Sequence, residues 1–470
     1  MKKEKKLREK PNWSNPDTTA ENERLPRWLK WVWTGRGIAF SLNVVLLMHL
    51  TYYCTDLLGM APALVGSLLL ASKVFDGFTD LIAGFIIDKT RTKWGKARPY
   101  DIFIPLMWLF TVLLFTVPNF GTVGKCVYLF IMYALVTSVC STFVMAADPV
   151  FLGRTIRNDK NKMSLTSFQG AFIMIASIAA SIIIPQLISS IGTEKSGWTI
   201  IALLFAVPLT IIGSLRMLMV KELASVDELD RQIGGKLSLK ESLKALAKNK
   251  MVFILGILVI LTQTNVAVTQ AVTNYYFKWI FGDVGLASLV GAANVATPIV
   301  LAFVPALSRK IGTGKLLRFG LLLTAIGYGI RLLAGANIPA IMGGTLLTTA
   351  GAVPITVLLS IYTLECMDYG EWKNGVRVEG VISSVMGFSQ KVGSGVGSAI
   401  LGFLMGMSGY ISSEAATVQP DSALNMIRFL FNGLPTLLAA GCFVLSLFYT
   451  IDKVSGKMHE ALSQKNTAEQ

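Results

Sequence analysis

The chain has 470 residues, is 53% hydrophobic and only 15% charged, and has a mean hydropathy of +0.58. Long, nearly charge-free stretches recur along it, which excludes an ordinary soluble protein of this length. The net charge of +15 could point to nucleic acid, but most Lys and Arg fall in segments on one side, with Lys125, Lys195 and Lys278 in connections on the other. That is the positive-inside pattern of a multi-pass protein in the cell membrane with both termini in the cytoplasm; the partner it implies is the lipid bilayer, not nucleic acid.

In chain order, residues 1–30 read as a cytoplasmic tail. Its Lys-rich start is a solvated arm, with weak attachment to anionic lipid as the secondary reading. Twelve apolar spans follow, at about 31–54, 64–88, 101–118, 126–152, 164–191, 198–220, 251–280, 287–308, 316–334, 338–366, 381–410 and 426–451. The stretch 221–250, rich in Lys, Glu and Asp, reads as a cytoplasmic linker with an amphipathic helix, and 452–470 as a cytoplasmic tail. The fold expected is an all-α integral membrane protein of twelve transmembrane helices in two six-helix halves, 31–220 and 251–451. A shift of 218 residues lays Asn294 on Asp76 and Arg309 on Arg91, a weak internal echo of two related halves, as in the major facilitator fold. The five cysteines are scattered and show neither a disulfide framework nor metal spacing. No cleavable signal is evident.

The second span carries Lys73, Asp76 and Asp80 in its middle. At 100° per residue they share one face within about 60°. On insertion scales each charge at that depth costs roughly 2.5–3.5 kcal/mol, so an unpartnered face would cost about 8–10 kcal/mol. A chain keeps such a face when something charged binds there or passes by. Carboxylates one helical turn apart have Cβ atoms about 6 Å apart and can share one small ion, Na+ or H+. The alternative is a static ion pair with a leftover acid.

Two loops also stand out. Asp88 to Pro99 is basic, with Arg91 and Arg98, and Asp368 to Gly380 mixes charges, with Glu371, Arg377 and Glu379. Pairing of Asp88, Arg91 and Arg98 with Asp368, Glu371 and Arg377 would close a cytoplasmic gate; simple positive-inside retention is the plainer explanation of the first loop. Arg331 and Lys278 read as interfacial anchors, His49 as a packed polar residue, and Tyr275, Tyr276 and Trp279 as an interfacial aromatic belt. Two histidines, no paired metal ligands and no nucleophile motif speak against an enzyme.

Together, Tyr52-Tyr53-Cys54-Thr55-Asp56, the Lys73–Asp80 face, Arg91 to Pro99 with its Trp94-Gly95-Lys96, Asp368 to Gly380 and Gln390-Lys391-Val392-Gly393 resemble the glycoside–pentoside–hexuronide:cation symporters, over nearly the whole chain. The resemblance implies that Asp76 and Asp80 hold the coupling cation, as its metal ligands if the ion is Na+. It implies that Thr79 donates a further oxygen and that a fourth-span hydroxyl, Ser141 or Thr142, completes the site. It places Lys391 near the substrate. The family's first-span acid has no counterpart near Ile38 to Phe40, where Arg36 stands close by. Its fourth-span acid falls on Ala147, with Asp148 beside it, and its fifth-span arginine is best matched by Gln169. Arg36, Gln169 and Asp148 are therefore the remaining candidates for substrate contact. Against this, Arg36 could snorkel to the surface and Asp148 could pair with Arg154 or a gate residue. The function expected is symport of a small glycoside, pentoside or hexuronide with Na+ or H+, with no other cofactor and no obligate protein partner. A carrier of lysolipids or other amphiphiles is the alternative.

Overall fold

Helix formation follows the apolar spans, and the breaks follow the residues that cannot continue them. In the computed structural model the described residues form helices joined by short turns and loops. The described residues are 25–156, 159–222, 246–374, 379–411, 417–452, 454, 457–458 and 460–461. The expected amphipathic helix of the linker lies outside them, as do most of both tails.

Each of the twelve expected spans is a helical stretch: α1 Arg27–Leu57, α2 Pro62–Lys89, α3 98–114, α4 Thr122–Thr155, α5 Asp159–Ile191, α6 Lys195–Met219, α7 Lys250–Phe281, α8 Val284–Ile311, α9 Thr313–Leu333, α10 338–374, α11 Glu379–Met407 and α12 Asp421–Ser446. Among the described residues, 9 stretches are long and apolar enough by themselves to cross a membrane. The others are α2, with its charged middle, α3, which is short, and α11, which carries Lys391 among Ser, Gly and Gln. Pro62 opens α2 at a position where the missing N–H costs nothing. Gly312, at φ 86°, makes the tight passage from α8 to α9 that a side chain would oppose.

Because successive helices alternate in direction, α1 starts on what we call the basal face and ends on the distal face. The cores divide along this axis. One hydrophobic cluster joins both halves distally, combining Leu50, Tyr53, Val65 and Trp198 with Val272, Tyr275, Leu401 and Phe431. Two separate clusters lie basally. One joins Leu29, Trp33, Ile87, Phe151 and Val220 of α1–α6, and the other joins Val252, Leu317, Tyr362, Ile382 and Cys442 of α7–α12. The halves are thus packed together at one end and have independent cores at the other.

Glycines let the seam close distally. A Cβ on Gly402 of α11 would lie 2.5 Å from the Pro62 carbonyl oxygen and 2.7 Å from Gly66 Cα, so the backbones of α2 and α11 touch there. Gly402→Val is expected to wedge α2 from α11 and open the distal face. Cys54, buried in the shared core, should then react with a membrane-impermeant maleimide several-fold faster than in the parent when it is the single cysteine present. Unchanged labelling would show that the seam does not close at this contact.

Candidate transport site

Asp76 and Asp80 stand one turn apart on α2, and α4 runs beside them in parallel. A π-type turn over Leu135–Ser141 widens α4 at this level, a feature that recurs at functional sites. It places two hydroxyls opposite the two acids: Ser138 donates to Asp76, and Thr142 donates to Asp80 at 2.9 Å. Each acid also has an ammonium partner. Lys73 reaches Asp76 at 3.2 Å from the same helix, while Lys391 reaches Asp80 from α11, across the seam.

The two rungs differ in exposure. Asp76 is buried, whereas the Asp80 side chain is 43% and that of Lys391 30% exposed. The Thr79 hydroxyl donates back to the Asp76 carbonyl at 3.0 Å, as helical threonines do. Among the described residues no group of three or more His, Cys, Asp and Glu comes together. A cation here would therefore rest on two carboxylates and neighbouring hydroxyls, a hard-oxygen donor set suited to Na+, with a proton on either acid as the other way to neutralise it. Ser138 was not selected from the sequence, because the widened turn that aims it cannot be read from spacing.

The expected substrate residues Arg36 and Asp148 are found instead in an ion quartet in which Arg36, Arg216 and Asp101 are buried and the Asp148 side chain is 30% exposed. Arg36 of α1 lies 2.9 Å from Asp148 of α4 and 3.6 Å from Asp101 at the start of α3, and it also donates to the Val144 carbonyl. Arg216 of α6 donates to both Asp101 oxygens, at 2.8 and 2.5 Å, and to Asp148 at 2.5 Å. Its guanidinium is sandwiched between Trp33 and Phe151, 4.6 Å from each ring centre. Two cations and two anions cancel, so the cluster survives burial by its own neutrality. Arg36 neither snorkels nor lines an open cavity; it braces the basal core of its own half. Gln169 of α5 packs on α1, where Gly37 leaves room for its amide.

Of the residues expected in the basal gate, Arg98 is engaged within its own half. Arg98 donates to the carbonyls of Met217 and Leu218, at 2.7 and 3.3 Å, capping the end of α6 within its own half. Beside it, Glu222 accepts the backbone N–H groups of Lys96, Ala97 and Arg98, at 2.9, 2.7 and 2.5 Å. Arg91 is exposed. Asp368 and Glu371 lie near the basal end of α10, while the Asp88 side chain and Arg377 lie outside the described residues.

The closed contact is distal. Asp56, fully buried at the end of α1, accepts from Lys278 of α7 at 2.9 Å and from the Tyr410 hydroxyl at 2.8 Å. Thr55 meets the Tyr275 hydroxyl at 2.6 Å, Trp279 donates to Tyr410 at 2.9 Å, and His49 packs on Asn274 at 2.7 Å. Lys278 is therefore an inter-half ion-pair partner rather than a surface anchor. Tyr275 and Tyr276 are buried rather than set in a belt facing lipid. Arg331 is also buried, stacked 3.9 Å from the Phe431 ring centre and donating to the Phe431 carbonyl at 2.9 Å. Near the helix ends the sequence shows amphipathic residues without showing which neighbouring helices cover them.

A helical bundle in two joined halves, with paired charges at mid-membrane depth and one end of the seam closed, defines a membrane carrier of the major facilitator fold. The chain belongs to the MFS/sugar transport protein family, whose profile it matches over residues 37–453. It is a transporter family, not an enzyme family, and the expected resemblance to glycoside–pentoside–hexuronide symporters holds. The chain is 30% identical over 441 residues to the isoprimeverose transporter of Lactiplantibacillus pentosus, covering 92% of this chain and 90% of that one. It is 28% identical over 427 residues to the glucuronide carrier protein homolog of Escherichia coli K12, covering 88% and 90%. The fold is similar to that of a bacterial homolog of the lysosomal transporter Spinster in an inward-facing, unoccupied conformation. The TM-score is 0.68 at 12% identity, covering 91% of this chain and 99% of that one.

Arg216→Met would strand Asp101 and Asp148 against Arg36 alone. A loss of about 3–5 kcal/mol is expected, seen as a large drop in melting temperature and in folded yield. The double variant Arg216→Met/Asp101→Leu should recover part of that loss. Equal melting of Arg216→Met and the parent would show that the quartet does not hold the fold.

Proposed function

We propose that the protein imports a small glycoside, pentoside or hexuronide together with Na+ or H+, by alternating access between residues 31–220 and 251–451. Both termini would lie in the cytoplasm, so the basal opening faces inward and the distal Asp56–Lys278–Tyr410 contact is the closed outer gate. The names of the relatives support a sugar-like substrate. The observation that carries the coupling is the Asp80–Lys391 pair, which joins the two halves and is open to water.

An ion on Asp80 competes with the Lys391 ammonium for the same carboxylate. Once released, Lys391 can donate to a substrate hydroxyl or pair with a substrate carboxylate. Ion and substrate then help each other bind, because each removes the partner that the other would have to displace. With both absent, the internal pair neutralises the site and the empty carrier can return. One charge crossing 100 mV provides about 2.3 kcal/mol, roughly a forty-fold accumulation before any chemical gradient.

The test is uptake into vesicles of a panel of neutral glycosides, pentosides and hexuronides, with sodium and proton gradients imposed separately. Asp76→Asn and Asp80→Asn should each abolish gradient-driven accumulation while the protein still reaches the membrane. Full accumulation in both would remove the proposed coupling site. For Lys391→Ala, the half-saturating substrate concentration should rise at least ten-fold. Unchanged affinity would place Lys391 outside the substrate path.

A further inference from the structure

A cavity of about 640 Å³ lies apart from the paired acids, between the basal ends of α1 and α5. It is lined by Leu25, Arg27, Lys30, Trp31, Asn161, Ser164 and Phe168. Among these described residues two are cations and none is a carboxylate. The Lys30 ammonium donates to the Ser164 hydroxyl at 2.8 Å and lies 5.8 Å from the Phe168 ring centre, so neutral groups orient it.

Depth says what kind of ligand would meet this site. α1 has 31 residues, hence a length of about 46 Å against a hydrocarbon core of about 30 Å. Its first turns, with Arg27 and Lys30, therefore stand at the level of lipid headgroups, and Trp31 sits where indoles collect at the interface. The Trp31 ring is held edge-on by Phe168 and Phe172, at 5.1 and 4.6 Å between centres, yet the residue is 51% exposed. Phe168, Phe172 and Ile175 follow one face of α5 away from the cations, at helical spacing, and Ile175 is exposed. A cationic cup thus continues into an apolar stripe.

We propose that this cavity binds the headgroup of an anionic phospholipid, its phosphate held by Arg27 and Lys30, its glycerol region against Trp31 and an acyl chain along Phe168, Phe172 and Ile175. The shared recognition chemistry is that of a phosphate monoanion or dianion; the apolar stripe assigns it to a lipid rather than to a soluble phosphate. Bound there, the lipid would tie α1 to α5 at the basal mouth.

The test uses the full-length protein in detergent, titrated with short-chain phosphatidylglycerol, phosphatidylcholine and glycerol phosphate, and read by native mass spectrometry and by melting temperature. Each cation near an anionic surface contributes about 1 kcal/mol, a factor of roughly five, so Arg27→Gln/Lys30→Gln should weaken phosphatidylglycerol retention at least ten-fold. A second pair, Arg309→Gln/Lys310→Gln, removes the same charge from exposed positions at the basal end of α8 and should leave retention within two-fold. Trp31→Ala should weaken the lipid but not shift binding toward glycerol phosphate. Equal losses in the two charge-matched variants would reduce the effect to general leaflet electrostatics and overturn the site. Glycerol phosphate binding as tightly as phosphatidylglycerol would overturn the lipid assignment, and phosphatidylcholine being retained as well would overturn the anionic headgroup.

Discussion

Two carboxylates at mid-membrane depth on one helix set the terms for the rest of this molecule. Unpartnered, each would oppose insertion and repel the other. The structure answers with two rungs of the same composition, an acid between an ammonium and a hydroxyl, and the difference between the rungs is where the ammonium comes from. Lys73 belongs to the same helix as Asp76, so that pair moves as a unit and stays formed whatever the halves do. Lys391 belongs to the opposite half, so the Asp80 pair depends on how the halves are arranged. Compensation is permanent on one rung and conditional on the other. The conditional rung is the more exposed of the two, and in the proposed coupling it is the one whose ammonium a cation from solution displaces.

The same distinction orders the other charges. Within the first half, Arg36, Arg216, Asp101 and Asp148 form a net-neutral set with aromatic faces on Arg216, buried except at the partly exposed Asp148. Such a set adds rigidity within one half. Across the seam, Asp56 with Lys278 and Tyr410 is buried by the contact of the halves itself. Its burial is a property of this conformation, because separating α1 from α7 and α11 would expose all three. Charges kept inside one half therefore build the rigid bodies, and charges shared between halves report and set their relative position.

The helices were legible because apolar length is a one-dimensional signal: all twelve spans appear near the expected boundaries, including α2 despite its charges. The α2 acids were legible for the same reason, as a polar face interrupting an apolar run. What escaped was pairing over long separations. Nothing in the sequence around Arg36 shows that Asp101 and Asp148 will meet it, or that Arg216 will complete the set from α6. Ser138 was missed because a local widening of α4 turns it toward Asp76. Lys278, Tyr275, Tyr276 and Arg331 read as surface residues because a helix end looks alike whether lipid or another helix covers it.

The position of the conditional pair along the membrane normal has a consequence for coupling. Distally, the α2–α11 seam is sealed by backbone contact at Gly66 and Gly402, which leaves no room for a ligand. Basally, the halves keep separate cores and can part. Asp80 and Lys391 lie between these two regimes, where the seam changes from closed to open. In the proposed coupling, a cation there would alter the attraction between the halves at the point about which they would have to pivot. The same ion placed inside the quartet would change only the stability of one half. A single inter-half ion pair thus combines the neutralisation of a water-accessible acid with a bond across the seam, and the proposed coupling of a cation to movement rests on those two features together.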